Sequence, residues 1–245
     1  MKSWIRSAML LATSLGACAG MTSARADEML DDLAGRIEYA FYAADSRGLQ
    51  QGWQQLDKLQ VEPADRALRD SYLNYGRWKA AQLLAKDDPA QAQQYAEACT
   101  EAKAMSKEGA MLATHHALLA ACYGMLETLR PVRRVLYRGD REAELNRALQ
   151  AGATLPQVQL IAAWLGLQQE AADKALVLLT QALNGVGSVG SSSIGWGYAE
   201  TCYLLGKLEL QRGNALAARN ALEQALVHAP DYRDARQLLQ SLTLK

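Results

Sequence analysis

The sequence predicts an all-α protein: about eleven helices arranged as a right-handed superhelical array of antiparallel pairs. Three observations lead there. Alanine, leucine and glutamine dominate while Val and Ile are sparse and a single Phe occurs, a composition that favours helix over sheet. Apolar residues recur at i, i+3, i+4 and i+7 along most of the chain. Helical patterns come in pairs separated by short breaks, and so short a connection forces antiparallel neighbours.

The elements follow in order. Asp27 to Ala44 predicts a first helix with Leu30, Leu33, Ile37, Ala40 and Phe41 on one side. Ser46-Arg47-Gly48 reads as a break, and Leu49 to Gln60 as the return helix. Pro63 opens a long helix over about 64–86, which Asp87-Asp88-Pro89 closes. Ala90 to Met105 follows. Residues 110–127 are apolar nearly all round, which predicts the most buried helix or nearly so. Arg130-Pro131 ends it, residues 131–138 read as a basic connector, and Glu142 to Gln150 as its return. Pro156 starts another pair ending near Gly185. A Gly/Ser-rich insertion spans 185–197. The clearest pair then flanks Gly213-Asn214: Gly213 suits a left-handed helix stop and Asn214 a cap. Pro230 ends that pair, and Asp231 is placed to cap a final helix to about Thr243. The outer face of that helix carries Arg233, Asp234, Arg236 and Gln237, as a terminal cap requires.

The 198–231 unit resembles a tetratricopeptide repeat, a 34-residue helix–turn–helix. With Pro230 as the repeat's proline, its small and large positions fall on Gly206, Ala218, Leu222 and Ala225. Glu209 departs from the pattern, standing where an aromatic or Leu is usual. Ala163, Ala175, Leu179 and Ala182 repeat the pattern closely, and Ala80, Ala92, Ala96 and Cys99 more weakly. Over about 110–240 the chain is also similar to a group of uncharacterised exported proteobacterial repeat proteins. In these a WG-x-AE segment precedes the last repeat; here it is Trp196, Gly197, Ala199 and Glu200. One repeat domain, 27–245, is expected.

Residues 1–26 read as a secretory signal peptide. Lys2 and Arg6 precede an apolar stretch from Ala8 to Ala19, and Ala24-Arg25-Ala26 offers a small-x-small cleavage site. Leu15-Gly16-Ala17-Cys18 also resembles a lipobox, in which Cys18 would be lipidated. Both readings export the chain and point to the periplasm, as a soluble protein or as a lipoprotein on the periplasmic side of a membrane. No later segment is apolar enough to span a bilayer. The full chain has 26 basic and 26 acidic residues; without residues 1–26 it has 23 basic and 26 acidic, net −3. Neither balance suggests a nucleic-acid partner. An oxidising compartment permits disulfides. Cys99 and Cys122 lie on successive helices at similar heights, so both a bridge and two reduced core thiols stand as readings. Cys202 has no obvious mate.

Catalytic constellations are lacking: the sequence holds no G-x-S-x-G, P-loop, dinucleotide fingerprint or C-x-x-C. His115 and His116 are adjacent on a helix and point about 100° apart, so they cannot clasp one metal. The Arg130–Arg138 cluster reads either as an acid-binding group or as a solvated connector, and Arg138-Gly139-Asp140 as a helix end and the next cap. No cofactor is expected. The resemblance implies an unidentified protein or peptide partner, bound along the concave groove by particular positions of each first helix. Carried over, these are Leu160, Trp164 and Gln168, then Glu200, Tyr203 and Lys207, with Asn74 and Arg77 from the weaker copy. The implied function is a non-enzymatic scaffold in the bacterial envelope. The alternative is a small-ligand binder or transporter accessory whose pocket the 110–127 helix would line.

Overall fold

The structure, a computed structural model, describes residues 17–104, 106–185 and 196–243. Its helices are α1 (Ala17–Tyr42), α2 (Ser46–Lys58), α3 (Arg66–Leu84), α4 (Pro89–Thr100), α5 (Gly109–Leu129), α6 (Arg134–Gly152), α7 (Pro156–Gln168), α8 (Ala172–Gly185), α9 (Tyr198–Gln211), α10 (Ala215–His228) and α11 (Arg233–Thr243). A 3-10 turn, Pro131–Arg133, joins α5 to α6. Consecutive helices pair as five antiparallel hairpins, and α11 packs on α10. The first four hairpins stack through their first helices, α1 on α3, α3 on α5 and α5 on α7, and the last joins the array through α9 on α8. The result is an α-solenoid.

Inner and outer helices differ in how much they bury. α5 and α7 are enclosed along most of their length, as their nearly continuous apolar runs require, and α3 is enclosed over 71–81 although that stretch includes Ser71, Asn74 and Lys79. The outer helices each bury one narrow stripe: Ala92, Ala96 and Cys99 on α4; Ala175, Leu179 and Ala182 on α8; Ala218, Leu222 and Ala225 on α10. These small residues let paired helices approach closely. At Gly206 an added Cβ would sit 2.7 Å from Leu222 and 3.1 Å from the Ala218 carbonyl. Gly213, at φ +81°, makes the left-handed stop between α9 and α10.

Several expected boundaries shift. Ser46-Arg47-Gly48 is the first turn of α2, because the Asp45 carboxylate accepts the Gly48 N–H at 2.9 Å and caps the helix. The break lies just before it, at Ala44, φ +55°. The basic connector is mostly helix: α6 starts at Arg134, so Arg138-Gly139-Asp140 is helix interior rather than an end and a cap. Asn214 holds the cap position of α10 but donates its amide to Glu209 at 2.6 Å instead. Asp231 precedes α11 by two residues and accepts the Tyr39 hydroxyl at 3.2 Å. α1 begins at Ala17, ten residues before the expected start, so Ala26 lies inside it. Residues 1–16 and the 186–195 core of the Gly/Ser insertion lie outside the described residues, as does the Cys18 side chain.

Cys99 and Cys122 form a disulfide that ties α4 to α5, with Cα atoms 6.2 Å apart. Cys202 is buried and free; burial pushes its thiol up to about 11. No helix among the described residues is long and apolar enough to cross a membrane.

Candidate functional site

The inner face of the solenoid is where a groove is expected, and here the chain fills it with its own residues. The last hairpin and α11 come round to meet α1 and α3. Tyr232 lies against Tyr42 with ring centroids 4.4 Å apart. With Ala199, Cys202, Leu222, Ala225 and Ala235 they form a second core that joins the two ends of the array.

The segment entering α9 makes the seal. The Trp196 ring stacks on Tyr75 at 4.4 Å and meets Trp78 edge-on at 6.2 Å. Gly197 is left-handed, φ +97°, and an added Cβ would lie 2.6 Å from Leu160. Only glycine fits both the dihedral and the gap. Its N–H donates to Glu38 on α1 at 3.0 Å. Ala199 is buried. Glu200 accepts a hydrogen bond from the Lys79 ammonium of α3. Trp196, Gly197 and Glu200 of the WG-x-AE segment thus make contacts across the inner face, and Ala199 packs into the second core.

Lys79 is wholly buried. Its Nζ lies 3.6 Å from the Trp78 ring centroid, 4.4 Å from Phe41 and 5.4 Å from Tyr75. Ring faces are electron-rich, so this cage offsets part of the cost of taking an ammonium out of water. Gln82 accepts a further bond at 3.2 Å. Desolvation still pulls the Lys79 pKa below its usual value, opposed by Glu200 and then Glu38. Burial pushes the Glu38 carboxyl above the ordinary carboxylate range, against the Tyr42 hydroxyl (2.6 Å), the Gly197 N–H and Lys79. Desolvation likewise raises Tyr42, Tyr75 and Tyr232 well above the usual phenol value. The cluster is incompletely satisfied: Tyr75 Oη, Trp78 Nε1 and Trp196 Nε1 are buried without a hydrogen-bond partner among the described residues.

The expected groove residues fall into three groups. Asn74, Leu160 and Glu200 are buried within the closed interior. Trp164 and Tyr203 line it half-buried: Trp164 meets Trp78 edge-on at 5.4 Å, and Tyr203 leans on Tyr232 at 5.0 Å. Burial raises the Tyr203 hydroxyl to about 12. Arg77, Gln168 and Lys207 reach the rim. Arg77 donates to Asn74 at 2.9 Å and lies 5.8 Å over the Trp53 ring. The sequence reading missed Glu38, Tyr75, Trp78 and Lys79. The available signal was Tyr72, Tyr75 and Trp78 at three-residue spacing, with a lysine next to them in a run that is otherwise mostly uncharged.

A second polar group sits at the C-terminal end of α5. Glu127 is buried and accepts from Arg134 (3.2 Å), Arg138 (3.1 Å) and Arg141. The acid that these arginines hold is therefore internal. They border an open cleft of about 520 Å³ with Thr128, Pro131 and Gln168. At the other end of α5, His116 pairs with Glu144 at 2.6 Å. The faces of α5 are covered by α3, α4, α6 and α7. Its apolar surface goes largely to helix packing, and it borders the cleft beside Arg134 and Arg138 only through Glu127 and Thr128.

No family model matches the chain, and no curated protein matches it. Among solved structures, a thermophilic tetratricopeptide-repeat protein of Thermus thermophilus (TTC0263) aligns over 90% of this chain and 100% of its own, at TM-score 0.51 and 16% identity. That likeness establishes a tetratricopeptide-like α-solenoid. The assembly chaperone of RpL4 (Acl4) aligns over 89% of this chain and 95% of its own, at TM-score 0.38 and 11% identity.

Proposed function

We propose that this protein is a non-enzymatic scaffold that binds a protein or peptide on the inner face of its solenoid, and that its own Trp196–Glu200 segment occupies that face in the closed form. The observation that carries the reading is the character of the seal. An ordinary domain core would bury apolar side chains there. This one buries the Lys79 ammonium, the Glu200 carboxylate, and the Tyr75 hydroxyl and two indole N–H groups that have no partner among the described residues. Each unsatisfied donor costs about 1–3 kcal/mol, so the closed form holds an interface that an extended peptide with its own polar groups could replace. A catalytic role for Lys79 is disfavoured by its complete burial.

The N-terminal segment supports an exported protein acting in the bacterial envelope, soluble in the periplasm after cleavage behind Ala26 or anchored through Cys18. The mass of the mature N-terminus separates the two forms, and an unprocessed Met1 removes export altogether. For the scaffold itself, a photo-crosslinking amino acid is placed in cells at Tyr203, at Lys207 or at outer-face Leu216. Adducts of one discrete mass at Tyr203 and Lys207, stronger in a Glu200→Ala variant and lacking at Leu216, are expected. The same adducts at Leu216, or none at the inner positions in either background, would refute the groove assignment.

A further inference from the structure

The turn from α5 into α6 carries a feature that the groove does not use. Val132, Val135 and Leu136 are 98%, 85% and 61% exposed. They lie at i, i+3 and i+4, so they form one stripe, which Gly139 continues without a side chain. The opposite side of α6 provides its packing residues, Tyr137, Arg141 and Ala148. Only eight large apolar side chains are exposed among the described residues, and three of them fall within these five positions. Arginines flank the stripe. Residues 130–139 hold Arg130, Arg133, Arg134 and Arg138 and no acid, in a chain whose total charge is zero. Most of these arginines share nearby acids, Arg130 with Glu97, Arg134, Arg138 and Arg141 with Glu127, and Arg141 also with Glu142, so the surplus is Arg133 and one of the three arginines around Glu127. The next acid along the chain is Asp140.

We infer that this knuckle docks on an anionic phospholipid bilayer, with Val132, Val135 and Leu136 entering the headgroup–acyl boundary and Arg133 on a lipid phosphate. Two features select a membrane over a protein groove. The apolar residues project almost fully into solvent rather than lining a concavity. The surplus of positive charge beside the stripe is complementary to anionic headgroups, and basic residues with a narrow apolar face are the ordinary means of interfacial attachment. The inference is independent of the inner-face reading, since the knuckle is on the far end of α5 from the His116–Glu144 pair and outside the sealed cluster.

The test is co-sedimentation of the unlipidated mature chain with vesicles of phosphatidylcholine alone or with roughly 30 mol% phosphatidylglycerol, an anionic content at which such surface charge acts. Binding is expected to the anionic vesicles only, and to weaken as salt screens the surface. Arg133→Ala should weaken it about fivefold. The triple variant Val132→Ser, Val135→Ser, Leu136→Ser should weaken it about tenfold or more, with an unchanged melting curve because these side chains touch little. A fluorophore on a Val132→Cys variant should shift to the blue on anionic vesicles. Equal binding to neutral vesicles, full binding by the triple variant, or no shift at position 132 would overturn the proposal. So would a concentration-dependent dimer that the triple variant abolishes, which would assign the stripe to a second copy.

Discussion

Lys79 sets the terms at the scale of single residues. A buried ion pair is weak evidence for stability, but removing one partner leaves the other charge stranded. Lys79→Met should therefore cost about 3–5 kcal/mol in urea unfolding. Adding Glu200→Leu to it should recover most of that loss; a double variant as unstable as the single one would mean that the pair is not the coupled unit described here. Glu38 gives the pH sign. Its folded-state pKa lies above the 4.5 of the free group, so the folded protein binds this proton more tightly than the unfolded chain does. The contribution is fully present below about pH 4.5 and is lost as pH rises through the raised folded value. Glu38→Gln should flatten that fall in melting temperature while leaving the curve above it parallel. Gly197 is the third such residue. Gly197→Ala combines a left-handed dihedral with a Cβ 2.6 Å from Leu160 and should cost about 1–3 kcal/mol.

Helices were legible in the sequence wherever their period was plain, and their ends were not. The small residues of α4, α8 and α10 marked the faces that pack, because close approach demands them whatever surrounds the helix. The starts of α2 and α6 were misplaced for local reasons. Asp45 caps through its side chain, three residues before a glycine that looked like a break. Gly139 lies inside α6, where its cost of about 1 kcal/mol is offset by packing that the sequence does not display. The Cys99–Cys122 bond belongs to this scale too. It closes a loop of 23 residues between α4 and α5, for which chain entropy gives roughly 3 kcal/mol. Reduction should lower the melting temperature, and Cys99→Ser with Cys122→Ser should lower it to the same value without reductant. Alkylation of both cysteines in the unreduced native protein would contradict the bond.

For the whole molecule, the repeat pattern announced an array of helix pairs but not how its ends meet. Closure depends on contacts between residues more than 120 positions apart: Lys79 with Glu200, Glu38 with Gly197, Tyr39 with Asp231. Nothing in local periodicity records such pairs, so Lys79 stands out only once its partner is placed. The same blindness explains why Asn74, Leu160 and Glu200 read as contact positions and lie in the interior. The central claim is that the last hairpin and the first form one closed unit through Trp196. Amide hydrogen exchange of the native protein and of Trp196→Ala tests it directly. Closure predicts that residues 33–42 of α1 and 198–208 of α9 lose protection together in the variant, while α5 and α6 keep theirs. Faster exchange in α9 with α1 unchanged would show that the inner face is open and that the two ends do not hold each other.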